Sequence, residues 1–468
     1  MKLRQLPTVL RHFLAAHWRW RTLHGERLMA FQDARAQQMV AIARRDSPFY
    51  RDHWANQPIT TWRTLPTIDK QLMMAHFARF NRYGIGAAEA LSAAQAAEDP
   101  VATSRPLRAP SGRGITAGLS SGTSGERGLF LVTDQEIAMW AGVILARALH
   151  DMPWRGCRVA FFLRAFSSLY AGVNSPLLQL RYFALSQAHD EVVAMLNRYQ
   201  PHIVVAPASL LIALARARQQ GKLHIAPTRL IAVAEVLEPQ DEVYLREHFG
   251  VPVHQIYQCT EGLLAVSCSH GSLHIQEDLV ALQLEAISSP PILQRQMWGQ
   301  KQMWGQKPTH EPIHYTPIVT DLWRTTQPIL RYRLGDLLQI TEEPCPCGSS
   351  FRVISAIEGR LSDLPYFTMA GAQASRVPFF PATLRRLVLE SSSAIVDYEL
   401  VQPHDDRLHI HLAVEAGADF AAIARQVEAR LTDAILARGC RAPLLTTAAV
   451  NPPRLATAKR RRIRCEGG

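Results

Sequence analysis

Five short polar motifs occur in a fixed order along the chain, and the first is the loop GLSSGTSGERG at 118–128. Small residues let a backbone approach an anion closely, and successive N–H groups with Ser and Thr hydroxyls can bind phosphate. The loop lacks the Gly-Lys-Ser/Thr ending of a P-loop, which argues against a Walker-type site. Considered alone, it is explained more simply as a hairpin turn.

The second and third motifs supply groups that a nucleotide needs besides a phosphate loop. YQCTEG at 257–262 places the hydroxyl of Thr260, a phosphate ligand, beside the carboxylate of Glu261, a magnesium ligand. RYRLGD at 331–336 ends in Asp336 after a glycine turn, where a carboxylate is suited to the two hydroxyls of a ribose. Each motif alone is also compatible with a solvated turn.

The fourth motif lies near residue 363, where the predicted pattern of strands and helices changes, and the fifth lies close to residue 468. IEGRLSD at 357–363 adds Arg360 and Asp363, and TAKRRRIR at 457–464 contains Lys459. Each is weak by itself, because charged residues are usually solvated. The order of all five motifs, rather than any one of them, predicts a site for a nucleoside triphosphate.

The elements that position these motifs follow a mixed α/β pattern. Residues 1–114 favour helices, whereas 115–362 alternate short buried strands with helices, as in a mainly parallel sheet covered by helices. After residue 270 the strand-like runs predict a further, more antiparallel β-layer. Residues 363–468 predict a small α+β domain. We therefore expect a large N-terminal domain followed by a small, mobile C-terminal lid domain.

Composition excludes several classes of protein. The chain of 468 residues has a formal net charge of +11, but its basic residues are scattered and no nucleic-acid-binding signature is present. No apolar run reaches the roughly 18 residues that span a bilayer, and the N-terminus is typical of an amphipathic helix rather than a signal peptide. Seven Cys do not indicate a disulfide framework. We expect a cytoplasmic protein that binds no nucleic acid.

At this point the sequence resembles the adenylate-forming acyl ligases. It is most similar to their phenylacetate–CoA ligase-like branch, which also contains adenylyltransferases of a deazaflavin coenzyme. The resemblance extends over nearly the whole chain, and the segments that match in order are DSPFYRDHW, LPTIDK, LSSGTSGERG, VAEVL, YQCTEG, HGSLHIQED, PILRYRLGDL and IEGRLSD.

The resemblance implies a role for each motif in binding ATP and Mg²⁺. Thr260 would contact phosphate, Glu261 would hold magnesium, and Asp336, assisted by Arg360, would bind the ribose hydroxyls. Asp363 would be the hinge of the C-terminal domain. The β- and γ-phosphates would be wrapped by Ser120, Ser121, Gly122, Thr123, Ser124 and Gly125, and the adenine would be flanked by Ala234, Glu235 and Tyr257.

Lys459 would reach the substrate carboxylate and the α-phosphate during adenylation and then swing away. A carboxylate that attacks a phosphate brings two anions together, so a lysine and magnesium must neutralise the developing charge. Two departures from the family pattern stand out: Glu126-Arg127 in the phosphate loop, and the absence of a glycine before Lys459. A solvated basic tail is the alternative explanation of Lys459.

The cysteines and histidines after residue 267 offer a second type of site. Cys345-x-Cys347 is a tight knuckle whose thiolates can share one metal ion, and Cys268 lies near His270 and His274. Some members of the resembled branch bind structural Zn²⁺ at these places, which implies the set Cys268, His274, Cys345 and Cys347. His270 could replace His274. Free cysteines in a reducing compartment are the alternative.

The resemblance implies that the chain activates a small carboxylic acid with ATP and releases pyrophosphate. The acyl group would then pass to a thiol of CoA or of a phosphopantetheinyl acyl carrier protein. Phe and Tyr in FFLRAFSSLYAG at 161–172 suit a flat or aromatic acid, although core packing explains them equally well. Two other functions stay open: transfer of AMP to a hydroxyl or phosphate of a cofactor, and a non-catalytic nucleotide-binding role. A homodimer also stays open.

Overall fold

The structure is a computed structural model that describes residues 5–57, 59–98, 107–120, 127–149, 156–163, 178–185, 187–287, 313–371, 375–450 and 460–466. Ser121 to Gly125, Lys459 and the duplicated QMWGQK at 296–307 lie outside the described residues. None of the described helices is long and apolar enough to cross a membrane.

The described N-terminal region is helical, as the sequence predicts. Its helices are α1 (Leu6–Thr22), α2 (Gly25–Asp46), α3 (Pro48–His53), α4 (Lys70–Ala75), α5 (Phe77–Phe80) and α6 (Ala87–Glu98), with a 3-10 turn at Ile59–Thr64. Aromatic side chains form much of the core between them, because Tyr50, Trp54 and Phe80 are fully buried and pack together. This core also includes Leu330 and Tyr332, so the N-terminal helices pack against the segment that leads to Asp336.

A three-stranded antiparallel sheet flanks the Gly/Ser-rich loop. It consists of β1 (Leu107–Arg108), β2 (Gly114–Leu119) and β3 (Leu129–Thr133), and β2 pairs with β3. Helix α7 (Asp134–Ala148) follows at once and begins with a capping box in which Thr133 and Glu136 each accept a backbone N–H. The sequence predicts this box, which is confirmed.

The central element is a twelve-stranded sheet whose first half is parallel. Its parallel strands are β4 (Cys157–Leu163), β5 (Leu178–Ala184), β6 (Ile203–Ala206), β7 (Arg229–Val233) and β8 (Val253–Cys259). Between them lie α8 (His189–Tyr199), α9 (Ala208–Gln219) and α10 (Pro239–Phe249). Strands buried on both faces need continuous apolar runs, and the four residues of β6 are all buried.

The second half of this sheet is antiparallel. It contains β9 (Gly262–Ser267), β10 (Leu273–Ile275), β11 (Val280–Ile287), β12 (His314–Asp321), β13 (Tyr332–Arg333), β14 (Asp336–Thr341) and β15 (Val353–Arg360). The strands predicted after residue 270 are therefore present, but they extend the parallel half instead of forming a separate layer, because β9 pairs with β8 as a hairpin.

The C-terminal region forms its own sheets and core. A 3-10 turn at Leu361–Asp363 leads to β16 (Tyr366–Thr368), β17 (Arg376–Pro378) and α11 (Pro381–Leu389). A four-stranded sheet then combines β18 (Ile395–His404), β19 (Arg407–Val414), β20 (Leu444–Ala449) and β21 (Ile463–Cys465) with α12 (Phe420–Ala437). Val427 and Leu431 of α12 are completely buried against this sheet.

Candidate functional site

One large cavity of about 780 Å³ brings the predicted motifs together. It lies at the carboxyl ends of β7 and β8, where ligands of parallel α/β sheets characteristically bind. The predicted site residues among its described lining are Ser120, Ala234, Glu235, Tyr257, Thr260, Glu261, Asp336, Arg360 and Asp363. The fold thus brings into one cavity residues that lie up to about 240 positions apart in the sequence.

The predicted ribose site is a connected group of three side chains. The Tyr257 hydroxyl donates a hydrogen bond to Asp336, and the Arg360 guanidinium lies 3.7 Å from the same carboxylate. Asp336 and Arg360 are neighbours because they are paired residues of β14 and β15. Burial, followed by the charge of Asp336, raises the pKa of Tyr257 well above its usual value, so the phenol stays protonated and remains a donor.

Thr260 and Glu261 lie on the tight turn between β8 and β9. The Thr260 hydroxyl donates to the Glu261 carboxylate at 2.9 Å. The Arg324 side chain holds this turn in place, because its two terminal nitrogens donate to the carbonyl oxygens of Thr260 and Glu261 at 2.6 and 2.7 Å. Arg324 is 7% exposed, so its guanidinium is held by these carbonyls in a largely dry environment.

Acidic groups dominate this end of the cavity. Burial raises the pKa of Asp321, although Arg324 opposes the shift. Burial also raises the pKa of Tyr332, and the negative charge of nearby Glu261 raises it further. The pKa of the Cys259 thiol is raised by burial and then by Glu261 and Asp336. A group of carboxylates that disfavours further negative charge is an environment for a cation.

Ala234 and Glu235 form a strained corner after β7. Ala234 has a φ of 64°, a left-handed conformation that a non-glycine residue rarely adopts and that is frequent at functional sites. The Glu235 carboxylate accepts the backbone N–H of Ser209 at 3.0 Å and that of Arg460 at 3.3 Å. Glu235 therefore joins the cavity rim, the first turn of α9 and the C-terminal segment.

Ser120 forms the hydrogen bonds that end the β2–β3 hairpin beside the Gly/Ser-rich loop. Its backbone N–H donates to the Gly128 carbonyl at 2.7 Å, and its hydroxyl accepts the Gly128 N–H at 2.6 Å. The Arg127 guanidinium donates to the Ser120 carbonyl at 3.0 Å. Arg127 and Lys70 both line the cavity next to this hairpin. Ser120 is the one predicted phosphate-loop residue that the described part of the chain includes.

The C-terminal segment reaches the same cavity through two arginines. Arg460 and Arg461 line it, and Arg461 donates to the Asp363 carboxylate at 2.8 Å. Burial raises the pKa of Asp363, and the charge of Arg461 partly offsets this shift. The predicted hinge residue is therefore paired with the segment that follows Lys459 in the sequence.

Beyond the polar end, the cavity continues as an apolar slot between α7 and the parallel strands. On α7 it is lined from Ile137 to Ala148, a length of about 16 Å at the helical rise. The slot residues of the strands alternate in sequence and so face one side of the sheet. They are Val159, Phe161, Leu178, Leu180, Val205, Ile231 and Val233.

The predicted metal ligands form a compact cluster outside this cavity. One donor atom from each of Cys268, His274, Cys345 and Cys347 can be chosen so that all four lie within 4.8 Å of one another. His274 is completely buried, and its Nδ1–H donates to the Phe351 carbonyl at 2.7 Å, which leaves Nε2 facing the thiols. Three thiols and one imidazole in this arrangement fit a tetrahedral zinc ion.

The alternative ligand His270 does not join this cluster. It is exposed, and the described cluster contains His274. Sequence reasoning missed Arg324 and Tyr332, which support Glu261 from another part of the chain. Tyr332 lies within the motif RYRLGD, but only Asp336 of that motif is assigned a role, and no local motif marks Arg324. Their contacts with the turn depend on long-range packing, which a single sequence does not show.

Comparisons with solved structures identify the fold. A 2-hydroxyisobutyryl-CoA ligase in a postadenylation state, in complex with an acyl-AMP, superposes with a TM-score of 0.66 over 95% of this chain and 90% of its own, at 19% identity. The chain has the adenylate-forming ligase fold. An anthranilate CoA ligase in complex with anthranoyl-AMP also matches, with a TM-score of 0.50 over 74% of this chain and 65% of its own, at 12% identity.

The same 2-hydroxyisobutyryl-CoA ligase matches in two further states. Its open conformation gives a TM-score of 0.57, and its thioesterification state gives 0.53. Of these three states of that ligase, the postadenylation state has the highest TM-score with this chain. No family model matches the sequence, and no curated protein matches it.

Proposed function

We propose that this protein is an ATP-dependent ligase that converts a carboxylic acid to an acyl-adenylate and then transfers the acyl group to a thiol. The observation that carries the proposal is the single cavity that joins Tyr257, Asp336 and Glu261 to an apolar slot. A nucleotide needs the polar end, and an acyl group needs the slot. The 2-hydroxyisobutyryl-CoA ligase with this fold binds an acyl-AMP and, in another state, CoA.

The polar residues would act on ATP in the roles that their contacts favour. Asp336, oriented by Tyr257 and Arg360, would accept the ribose hydroxyls. Ala234, Glu235 and the Tyr257 ring would flank the adenine. Ser120 and the loop residues Ser121 to Gly125 would bind the β- and γ-phosphates.

Charge neutralisation would come from magnesium and from the C-terminal segment. Glu261, which Arg324 holds in place through its backbone carbonyl, would bind Mg²⁺ while Thr260 contacts phosphate. Mg²⁺ held by Glu261 would supply Lewis-acid stabilisation of the negative charge on the phosphates. Lys459 would neutralise charge between the carboxylate and the α-phosphate, and the pairing of Arg461 with Asp363 supports this location of the segment.

We propose an acid with an apolar body. The described wall of the slot offers aliphatic and aromatic side chains, so a charged or hydroxylated tail would lose hydration without gaining a partner. Phe161 is the first residue of the segment at 161–172 whose Phe and Tyr suit an aromatic acid, and it lines the slot. Aryl and long aliphatic acids are the two subclasses to compare.

The acceptor thiol would belong to CoA or to a phosphopantetheinyl carrier protein. Residues 363–468 would act as a lid domain that rotates about Asp363 between the two half-reactions, because acyl transfer needs the thiol where Lys459 is needed first. Residues 1–114 and 115–362 would together form the large domain.

We also propose that Cys268, His274, Cys345 and Cys347 bind a structural Zn²⁺. The donor set is complete and provides four protein ligands, which is the arrangement of a structural rather than a catalytic site. The ion would connect the β9–β10 turn to the loop before β15.

ATP–pyrophosphate exchange across aryl and aliphatic acids tests the ligase proposal. We expect exchange that depends on an apolar acid and falls by at least about a hundredfold in Glu261→Gln and Lys459→Ala. Glu242→Gln is the matched control, because Glu242 pairs with Arg246 on the surface of α10. ATP binding without exchange for any acid would contradict the proposal. Transfer of labelled AMP to a cofactor would instead indicate an adenylyltransferase.

A further inference from the structure

Helix α1 has a row of large apolar side chains that faces away from the protein. Leu6, Leu10, Leu14 and Trp18 recur every four residues, and their exposed fractions are 51%, 55%, 58% and 63%. Residues four apart lie on one side of an α-helix, so these side chains form a continuous row about 18 Å long. We call this row the α1 stripe.

The stripe is not the core-facing side of a helix that has failed to dock. The opposite side of α1 is already packed, because Val9 and Ala16 are buried. Val9 belongs to the same core as Ala138 and Ala141 of α7. Soluble proteins expose single apolar residues freely, but a contiguous exposed patch generally marks an interaction surface.

The charged side chains of α1 and of the sequence ahead of it have one sign. The sequence has no Asp or Glu before Glu26, whereas it has Lys2 and Arg4 ahead of the helix. Arg11 and Arg21 of α1 are both exposed. At 100° per residue they fall on the same half of the helix as the stripe. The outer side of α1 therefore combines leucines, a tryptophan and arginines without an acidic residue.

We propose that the α1 stripe docks this protein on the surface of an anionic phospholipid bilayer. A helix with Leu and Trp on one side and basic residues beside them lies in the plane of the membrane interface, with its apolar side among the acyl chains. The arginines would contact the negative headgroups. The helix would lie on the membrane and not cross it.

A second copy of the chain fits this surface less well. Two α1 stripes packed face to face would bring Arg11 and Arg21 of each copy close to those of the other, and no carboxylate on α1 is available to pair with them. Like charges across an interface oppose association. An anionic bilayer neutralises the same arginines, and this difference decides between the two partners.

Docking at a membrane does not depend on the proposed ligase activity, because α1 contributes no residue to the described lining of the cavity. The two proposals are nevertheless compatible. An apolar acid partitions into a bilayer, so a docked enzyme would meet a higher local concentration of such a substrate.

Vesicle flotation of the full-length protein tests the proposal. We expect it to float with vesicles of equal parts phosphatidylcholine and phosphatidylglycerol, and far less with phosphatidylcholine alone. The double variant Leu10→Glu/Leu14→Glu should lower the bound fraction at least tenfold. Arg11→Ala and Arg21→Ala should each weaken binding about fivefold, and salt well above about 0.1 M should weaken wild-type binding.

The matched control is Val243→Glu/Leu436→Glu, which makes the same change in charge at two other exposed apolar residues. It should float like the wild type, and circular dichroism melts confirm that both variants are folded. Failure of the wild type to float on anionic vesicles, or equal losses in the two double variants, would overturn the proposal. A wild-type dimer in solution that dissociates in the stripe variant, without flotation, would assign the stripe to a second copy.

Discussion

At the scale of single residues, Tyr257 is the group whose chemistry the fold controls most directly. Its hydroxyl has one role in the described structure, which is to donate to Asp336. Burial and the adjacent carboxylate raise its pKa, so the proton stays on the phenol throughout the physiological range. Asp336 is thereby held in one orientation, in which one carboxylate oxygen accepts from Tyr257 and the other lies 3.7 Å from the Arg360 guanidinium.

Tyr257→Phe should raise the KM for ATP about tenfold or more, because a hydrogen bond to a charged group contributes about 1.5–3 kcal/mol. Steady-state kinetics of the proposed adenylation measure this. The ratio of the variant's KM to the wild type's KM should stay constant from about pH 7 to 9, since a raised pKa keeps the phenol protonated above the usual value near 10. A ratio that falls towards one as the pH rises would mean that the phenol ionises in the wild type.

Tyr244→Phe is the control for this change. Tyr244 also donates a hydrogen bond through its hydroxyl, to Gln219 at 3.2 Å, and it does so on the surface of α10 outside the described lining of the cavity. Its removal should leave the KM for ATP unchanged within twofold. An equal effect of the two variants would assign the Tyr257 result to general destabilisation.

Sequence reasoning succeeds at this scale where a residue acts through its neighbours in the chain. Thr133 and Glu136 are three residues apart and form the predicted capping box. Thr260 and Glu261 are adjacent in the motif YQCTEG, and the hydroxyl of the first donates to the carboxylate of the second. Arg324 lies 63 residues from Glu261 and holds its carbonyl only because two strands bring them together. A long-range contact of this kind leaves no local signal in a single sequence.

At the scale of elements, the contact between α1 and α7 depends on one glycine. A Cβ built at Gly142 would lie well inside van der Waals contact with the Val9 carbonyl oxygen and 3.0 Å from the Phe13 nitrogen. Both atoms belong to the backbone of α1 and cannot turn away as a side chain can. The absence of a side chain at this position is therefore what lets the two helices approach.

Gly142→Ala should destabilise the protein by about 1–3 kcal/mol through overpacking, even though alanine favours a helix more than glycine does. Chemical denaturation measures the change. Gly86→Ala is the control, because a Cβ at Gly86 meets no atom within 4 Å, and its effect should stay within about 0.5 kcal/mol. A Gly142→Ala variant as stable as the wild type would show that α1 shifts freely on α7.

The Cys and His cluster links elements that the main sheet holds only partly. Cys268 follows β9, His274 lies in β10, and Cys345 and Cys347 belong to the loop between β14 and β15. β10 and β15 share two paired positions. A bound ion would add four bonds beside this short ladder. It would also fix His274, on which Trp20 of α1 packs.

Removal of metal should therefore lower the melting temperature of the wild type by about 5 °C or more, because an ion that binds only the native state stabilises it by mass action. Metal analysis should give one zinc per chain. Cys347→Ser should abolish both the zinc and the response to chelator, whereas Cys465→Ser, outside the cluster, should change neither. A full complement of zinc in Cys347→Ser would rule out this ligand set.

Predictability from sequence also differs between elements. The runs RVAFFL and DLLQIT predict strands because their apolar residues are bounded by turn signals. Both strands are present, as β4 and β14. The continuity of the twelve-stranded sheet was not predictable, since it depends on the β8–β9 turn joining a parallel half to an antiparallel one. The amphipathic pattern of α1 was recognisable, but which side of it stays exposed is decided by α7.

At the scale of the whole molecule, Arg462 joins the C-terminal sheet to the large sheet domain. Its guanidinium binds Asp241 of α10 at 2.5 and 2.9 Å and lies 2.9 Å from Glu238. The same side chain donates to Asp397 of β18 at 3.1 Å. Burial opposes its charge, but Glu238, Asp241 and Asp397 raise its pKa, so it stays cationic.

This ion-pair group holds the C-terminal sheet against α10 in the arrangement that the structure has. The TM-score decreases from 0.66 to 0.53 between the postadenylation and thioesterification states of the same 2-hydroxyisobutyryl-CoA ligase. In this chain, rotation of the C-terminal sheet would separate Arg462 from Asp241, so the buried pair favours the arrangement that the structure has. Under the proposed function, this arrangement would serve adenylation.

Asp241→Asn should therefore slow adenylation about tenfold while leaving thioester formation from a supplied acyl-adenylate unchanged or faster. The variant removes a bidentate contact of about 1.5–3 kcal/mol from one arrangement only. Pyrophosphate exchange and single-turnover acyl transfer measure the two half-reactions separately. Glu399→Gln is the control, because Glu399 pairs with Arg464 within the C-terminal sheet and that pair moves as a unit. Equal losses in both half-reactions would mean that Asp241 stabilises the fold without favouring either arrangement.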